Sequence, residues 1–552
     1  MTAMRVCRAS LMASAVFAFM NLSMGIAATA EVGEASTTAS AHYYVMPKGD
    51  HLPARAPQAA RPVPLGYAIP NSQIQSLKKR GGFPSTGEMA PEPAVGSPQG
   101  PVVIKTCTTN SADIFTPSDI NGAVSPSRIV VVTNDAVGVY RRLDCTTLSR
   151  VSLEDFFRTT FSLPQSQGVF DPRVLYDPSI QRFFISAESA DDFNFDQFQY
   201  IAVSTDSNAT SWIQYQIVLS KDSNVFCKQR RKGFWDYPSA GYNASRWFIT
   251  ANDFPSGAPE GDSPRTFANI VPRAALLSID KAPTLTAGDI TVKCFNDLRF
   301  NLAPPIVLGG GTKSYFLSPG GSGQGDTITR YKLDSGSTDP LLDRLTTTRS
   351  INVRPWTLGP NAPQHNGQTL DVLDGRFQSA SIQAGGALWN VHTINIGGFA
   401  RWRLYKFSTT ETDPLFTLTP SSVADQNDFL FNPSVATRSD ASSDPAFVTF
   451  SRTIPSIHNP NGYAAMLIAK GPNASRKGWS STLISKSLDQ YEETGLFASS
   501  TPCNESDIRT CRWGDYSATQ IDPVDTSHAF GFNQLIIGVT SKNWTTKGSE
   551  VR

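Results

Sequence analysis

His392 and Glu188 are the two titratable members of a recurring set of polar residues in this chain. Each closes a short apolar run, Ala387-Leu-Trp-Asn-Val-His392 and Arg182-Phe-Phe-Ile-Ser-Ala-Glu188. A histidine titrates near neutral pH and a carboxyl group can act as an acid or base beside it, so these two are the candidate catalytic pair. Asn134, Asn252, Ser318, Ser451 and Asn533 close comparable runs. A second set, Asp119, Asp171, Asp236, Asp374, Asn432 and Asp515, opens the runs that precede all of these but Ser318. Clustered carboxylates suit a hard cation, which makes Asp171, Asp236 and Asp515 the weak metal-ligand candidates and calcium the ion they would admit. The competing reading is structural: a residue that recurs once per repeat commonly caps a turn or a strand end, and then no metal or cofactor is required.

Basic and aromatic residues fall near the same positions. Lys228, Arg230, Arg231 and Lys232 precede the run that starts at Trp235, Arg376 and Arg512 flank other openings, and Arg452 follows Ser451. A guanidinium is a planar fork suited to carboxylate, sulfate or phosphate. With Tyr237 and Trp513 to stack on sugar rings and Asn134, Asn252 and Asn533 to bond hydroxyls, these residues form a candidate surface for an anionic carbohydrate. A solvated charge run balanced by nearby Asp residues is the plainer alternative.

The elements that must position these groups are paired short strands. Asp171-Pro-Arg-Val-Leu-Tyr-Asp177 leads into Arg182–Glu188, Trp235-Asp-Tyr-Pro-Ser-Ala-Gly241 into Arg246–Asn252, and Phe431-Asn-Pro-Ser-Val-Ala436 into Ala446–Ser451. Arg512-Trp-Gly-Asp-Tyr-Ser517 leads in the same way towards Asn533, and fainter copies lie at 119–134, 303–318 and 374–392. Seven copies predict an all-β, seven-bladed β-propeller of four-stranded antiparallel blades, or a six-bladed one if the copy at 303–318 is incomplete. In such a blade the first strand starts, and the second ends, on one face, so both polar sets converge there. Within the second copy, Ser204-Thr-Asp-Ser-Asn-Ala-Thr-Ser-Trp212 resembles a degenerate Asp-box, the structural turn of sialidase-like propellers, with Asn208 in place of glycine.

Bulk properties narrow the setting. Of 552 residues, 48 are basic and 47 acidic, which gives no electrostatic case for a nucleic-acid partner. Residues 1–30 read as a secretory signal: Arg5 and Arg8, an apolar core from Leu11 to Met20, and an Ala28-Thr29-Ala30 cleavage pattern. Residues 31–105, rich in Pro, Ala and Gly, are expected to form a mostly irregular leader, and residues 106–552 the propeller domain. No later stretch approaches the ~20 apolar residues of a spanning helix. Six cysteines remain after the signal, and sequence order suggests disulfides Cys107–Cys145, Cys227–Cys294 and Cys503–Cys511. The expectation is a secreted or periplasmic monomer.

Phe170-Asp-Pro-x-Val-Leu-Tyr-Asp177, Asp236-Tyr-Pro238, Leu388-Trp-x-x-His-Thr393 and above all Arg512-Trp-Gly-Asp-Tyr-Ser517 resemble the motifs of a family of secreted, largely uncharacterised bacterial propeller proteins. The resemblance spans residues 119–552 and implies architecture and export, not a reaction. Three uses of the polar face stay open: binding an extracellular ligand such as an anionic glycan, action as a polysaccharide lyase or glycoside hydrolase, and service as a protein-interaction scaffold. No G-x-S-x-G, H-E-x-x-H or P-loop is present, which removes the usual support for serine hydrolase, zincin and NTPase chemistry.

Overall fold

Runs of β-branched and aromatic residues separated by turn-forming Gly, Pro, Asn and Asp dominate this sequence, and such residues favour a pleated, half-buried backbone. The computed structural model is accordingly nearly all β. It describes residues 32–52, 61–62, 78, 100–111, 115–164, 167–190, 196–222, 224–228, 233–254, 272–320, 323–364, 368–419, 428–454, 463–489, 491, 504–505, 508–536 and 544–552.

The second copy shows the building unit. Gly168–Asp177, Arg182–Ala190, Gln197–Ser204 and Ser211–Lys221 pair in succession as an antiparallel meander. The same order holds for Phe234–Tyr242 through Ile290–Leu298, Ser381–Ala384 through Pro414–Leu418, and Phe429–Thr437 through Ser480–Lys486. Asn121–Val124 through Thr147–Ser152 forms the first meander. In the last, Ala518–Ile521, Ala529–Ile536 and Trp544–Val551 take Val103–Ser111 as their outer strand. The Cys107–Cys145 disulfide ties that strand to the first meander, and Cys227–Cys294 ties the connection that follows the second meander to the outer strand of the third. Both pairings follow sequence order as expected. Cys511 is disulfide-bonded, while Cys503 falls outside the described residues.

The faint copy at 303–318 is irregular for a visible reason. Its inner strand, Pro305–Val307, pairs in parallel with Tyr242 on one side and Ser381–Gln383 on the other, and touches Leu317 of its own unit through the single bridge from Ala303. Lys313–Ser318, Gln324–Asp334 and Arg344–Thr357 complete a three-stranded sheet.

Successive meanders pack face to face. Trp212, Trp235, Trp247, Trp389, Trp402, Trp479, Trp513 and Trp544 are all fully buried, and burying an aromatic side chain contributes on the order of 1.5–3 kcal/mol. In the turn at 204–212, Asp206 accepts from the Asn208 amide at 2.8 Å and the Trp212 indole donates to Ala209 O at 3.2 Å. The left-handed residue is Ala209, one place after the position that sequence comparison marks for glycine.

Two features depart from the sequence reading. Within the leader, Gly33–Ala39 pairs with Ile290–Asn296, His42–Val45 with Ser211–Gln214, and Gly49–His51 with Ser149–Val151. Exposed outer strands offer unpaired backbone groups, and the alternating small and β-branched residues of Gly33–Ala39 satisfy one of them. The second is a helix, Leu153–Phe161, capped by Ser152 and carrying Phe156 and Phe157 against Trp212 and Tyr200. Among the described residues no helix is long and apolar enough to cross a membrane.

Candidate binding site

A repeated backbone irregularity places the central side chains. Phe170, Asp236 and Phe431 pair with Glu188, Asn252 and Ser451, and the next pairs are Arg173–Ser186, Ser239–Thr250 and Ser434–Thr449. Asp171-Pro172, Tyr237-Pro238 and Asn432-Pro433 are therefore β-bulges, and the residue before each proline has positive φ: 53°, 61° and 49°. Proline fits because a bulged residue owes no hydrogen bond to the ladder. The register also revises the alignment of the third copy. Tyr237, not Asp236, is the equivalent of Asp171, and Asp236 pairs opposite Asn252.

The bulges bring residues from most of the meanders into contact. Asp119 accepts from the Asp515 amide and from Asn134 Nδ2, both at 2.7 Å. The Tyr516 hydroxyl donates to Asp171 at 2.6 Å, and the Arg173 guanidinium lies 3.2 Å from the Tyr516 ring centre. Tyr237 meets Tyr516 edge to face at 4.9 Å, and Arg376 sits over Tyr237 at 4.2 Å while holding Asp374 through two hydrogen bonds of 2.7 and 2.8 Å. Gln378 donates to Asn432 at 2.7 Å, Asn432 donates to Gly514 O, and Arg512 pairs with Asp515 at 3.5 Å. None of these residues is more than 4% exposed.

Burial on this scale favours neutral forms. Burial, then the neighbouring Asp236 and Asp515 carboxylates, push Asp171 up to about 8. Burial and the Asp171 charge push Asp119 up to about 7, and burial with the Asp119 charge does the same to Asp515. Ligand atoms of Asp171, Glu188 and Asp236, all buried, lie within 4.8 Å of one another. These three could hold a hard cation such as calcium. Asp515, the third candidate from sequence, bonds to Arg512 instead, and Glu188 takes its place in the trio. Asp522, His528 and Glu550 also cluster, but Arg142 bridges Asp522 and Glu550, so a guanidinium already fills the place of an ion.

The residues closing the second strands join neighbouring meanders. Asn134 Oδ1 accepts from the Asp171 amide at 2.8 Å, Asn252 Oδ1 from the Asn301 amide at 2.7 Å, and Thr393 Oγ1 from the Asn432 amide at 3.2 Å. Asn533 donates to Ser451, whose hydroxyl accepts from the Trp513 indole at 3.0 Å. Asn134, Asn252, Asn533 and Trp513 are thus buried and hydrogen-bonded within the protein. Each of the three asparagines reaches a different partner: the Asp171 amide, the Asn301 amide and the Ser451 hydroxyl.

His392 is fully buried among Trp356, Phe377 and Tyr405, with Nδ1 2.7 Å from Gly375 O and Nε2 3.1 Å from the Tyr405 hydroxyl. Burial holds its pKa down to about 3, so the ring stays neutral at physiological pH. The structure does not bring it to Glu188, which belongs to the carboxyl trio. Lys228 is buried against Gln197 and Ser220. Arg452 is part-exposed at 22% and lies 3.7 Å from Asp428. Arg230 and Arg231 fall outside the described residues. Arg173, Tyr516 and Gln378 were missed, although the first two sit inside the Asp-Pro-Arg and Arg-Trp-Gly-Asp-Tyr-Ser motifs.

No known family model matches this sequence, and comparison with curated protein sequences finds no match. Among solved structures, Trypanosoma rangeli sialidase in complex with sialic acid is similar with TM-score 0.35 and 9% identity, over 77% of this chain and 59% of that one. The Hadza microbial sialidase Hz136 has TM-score 0.37 and 10% identity, covering 76% and 73%. A thermostable family-43 glycoside hydrolase has TM-score 0.29 and 11% identity, covering 57% and 94%. This chain spans less than two thirds of the trypanosomal sialidase. Likeness at these scores is loose, and it transfers no substrate or residue role to this chain.

Proposed function

We propose that the chain is a seven-bladed β-propeller, closed by Val103–Ser111, and that it serves as an exported binding module for an extracellular carbohydrate. The ligand is taken on the surface of the face where the inner strands begin, above the closed cluster and not within it. The observation that carries this reading is the convergence of Asp119, Asp171, Tyr237, Arg376, Asn432 and Asp515, from six different meanders, on one point. In this reading residues 1–30 are the secretory signal and the protein acts as a monomer outside the cytoplasm.

Charge divides the site. Ligand atoms of Asp171, Glu188 and Asp236 lie within 4.8 Å of one another at the centre, a spacing that favours a cation there. An anionic glycan fits better at the part-exposed Arg452. Hydrolysis is the second reading, favoured by Asp171, a carboxyl group held near neutral pKa within 4.8 Å of Glu188 and Asp236. His392 has no part in it.

The test is a binding and turnover screen of residues 31–552 against neutral and anionic polysaccharides, with and without calcium. Saturable binding weakened by Arg452→Ala together with Arg230→Ala supports the anionic-glycan reading. Product release lost in Glu188→Gln moves the assignment to a hydrolase. A flat result across the panel overturns both.

A further inference from the structure

Side chains alternate between the two faces of a strand, so register sorts the three-stranded sheet of Lys313–Ser318, Gln324–Asp334 and Arg344–Thr357. One face, with Phe316, Leu333 and Leu345, packs against Phe248 and Leu276 of the third meander. The other carries Leu317, Ile328 and Ile351 where it packs on Tyr405 and Phe407. Towards the hairpin end, this second face carries Lys313, Arg330, Lys332, Arg344 and Arg349 and one carboxylate of the sheet, Asp334. Contacts agree with the sorting: Lys332 lies 3.8 Å from Asp334, and Arg330 lies over the Tyr315 ring at 5.9 Å. This end stays uncovered because the neighbouring outer strand, Pro414–Leu418, has 5 residues where Arg344–Thr357 has 14. Lys313, Arg344 and Arg349 are exposed, and none of them makes an ion pair among the described residues.

We propose that this face binds a linear anionic polysaccharide, its sulfate or carboxylate groups taken by Lys313, Arg344 and Arg349. Hydroxyls of Thr346, Thr347 and Ser350 on the same exposed strand are placed to bond those of the sugar. The chain as a whole is balanced, with 48 basic and 47 acidic residues, so the excess on this face is local. Arg349 stands directly opposite Arg330 across the strands, and like charges in that position repel. Arg330 is 2% exposed and held in place, its Nε donating to Thr348 Oγ1 at 3.1 Å and its Nη1 to Glu411 O at 3.2 Å. The exposed Glu411 side chain adds a second carboxylate nearby and leaves cations in the majority. Charge on an outer strand also deters stray strand pairing, but the buried Arg330 adds nothing to that defence. An anion beside the arginine pair relieves its repulsion. The residues opposite Arg344 and Arg349 are Asp334 and Arg330, four apart, which sets the two arginines about 13 Å apart along the strand. Such a row suits a polymer better than one small anion. Nucleic acid fits less well, since Tyr315 is half-buried against Arg330 and is not offered for base stacking. This surface does not depend on the proposed site at the starting face.

Titration of residues 31–552 with heparin, polygalacturonate, neutral dextran and a DNA duplex tests the proposal. At least one of the two anionic polysaccharides is expected to bind, more weakly as salt rises, and dextran is expected not to. Heparin and polygalacturonate distinguish sulfate from carboxylate as the group recognised. Arg344→Gln combined with Arg349→Gln, at two exposed positions, should weaken that binding about tenfold or more. Arg476→Gln combined with Lys477→Gln removes the same charge at an exposed turn elsewhere and should leave the affinity unchanged. The proposal is overturned if neither anionic polysaccharide binds, if the duplex binds more tightly than both, or if the arginine double variant keeps the parent affinity. Equal weakening by the charge-matched variant overturns it as well, and so does a loss seen in Arg452→Ala alone, which would return the glycan to the starting face.

Discussion

The two ends of the inner strands solve opposite problems with one backbone. At the starting end, the bulged Asp171, Tyr237 and Asn432 and their neighbours meet as a closed cluster of carboxyls, guanidiniums and phenols, all buried and most bonded to each other. Towards the hairpins the same strands present Val174, Ala240 and Val435 around an open cavity. Residue recurrence marked the first end and was silent on the second. The difference teaches that a polar residue recurring once per repeat can pack the interior by bonding to its counterparts, whereas a cavity opens where side chains are small.

The largest effect is expected at the closed end. Arg376→Met removes a fully buried guanidinium and leaves Asp374 without its bidentate partner, a loss of about 3–5 kcal/mol in chemical denaturation. A cost under about 1 kcal/mol would mean that the cluster is not a structural plug, and the contrast between the two ends would collapse.

A second prediction uses protons to separate the plug from His392. Asp119, Asp171 and Asp515 are held above their unfolded values, so folding favours their protonated forms. Their contribution to stability is full below about pH 4 and is lost as pH rises through about 7 to 8. His392 is held down to about 3, so its contribution is present above about pH 6.5 and is lost as pH falls towards 3. The slope from each group is at most about 1.4 kcal/mol per pH unit. In melting curves across pH, Asp171→Asn should therefore remove a fall in stability between about pH 4 and 8, and His392→Gln a rise in stability between about pH 3 and 6.5. The reverse assignment, or parallel curves for both variants, would refute the pairing of each centre with its limb.

What the sequence exposes follows from the range of the interaction. The paired runs, their meander order and two disulfides are local or ordered along the chain, and they are legible in motifs such as Phe170–Asp177. The bulges are half legible: Asp171-Pro172 and Asn432-Pro433 align by eye, but Tyr237-Pro238 shows its register only when Ser239 pairs with Thr250. His392 reads as a catalytic candidate because its partners Trp356, Gly375 and Tyr405 come from separate stretches of chain. The leader strands are illegible for another reason. Gly33–Ala39 has the composition of a loop and takes its order from the edge it covers.

The smallest expected effect completes the contrast. Ala380 is half-buried, lines the cavity, and sits between Ser379 and the Ser381–Ala384 strand. Leu at this position adds about three methylene-sized groups to space that is already present, so it should not force neighbours from their rotamers as overpacking of a filled core does. Burying the added apolar surface is favourable and the lost side-chain freedom is not, and each is on the order of 1 kcal/mol. The net change in unfolding free energy should lie within about 1 kcal/mol of zero, several-fold less than at Arg376. A destabilisation as large as that of Arg376→Met would show that the axial space is filled and held as tightly as the plug.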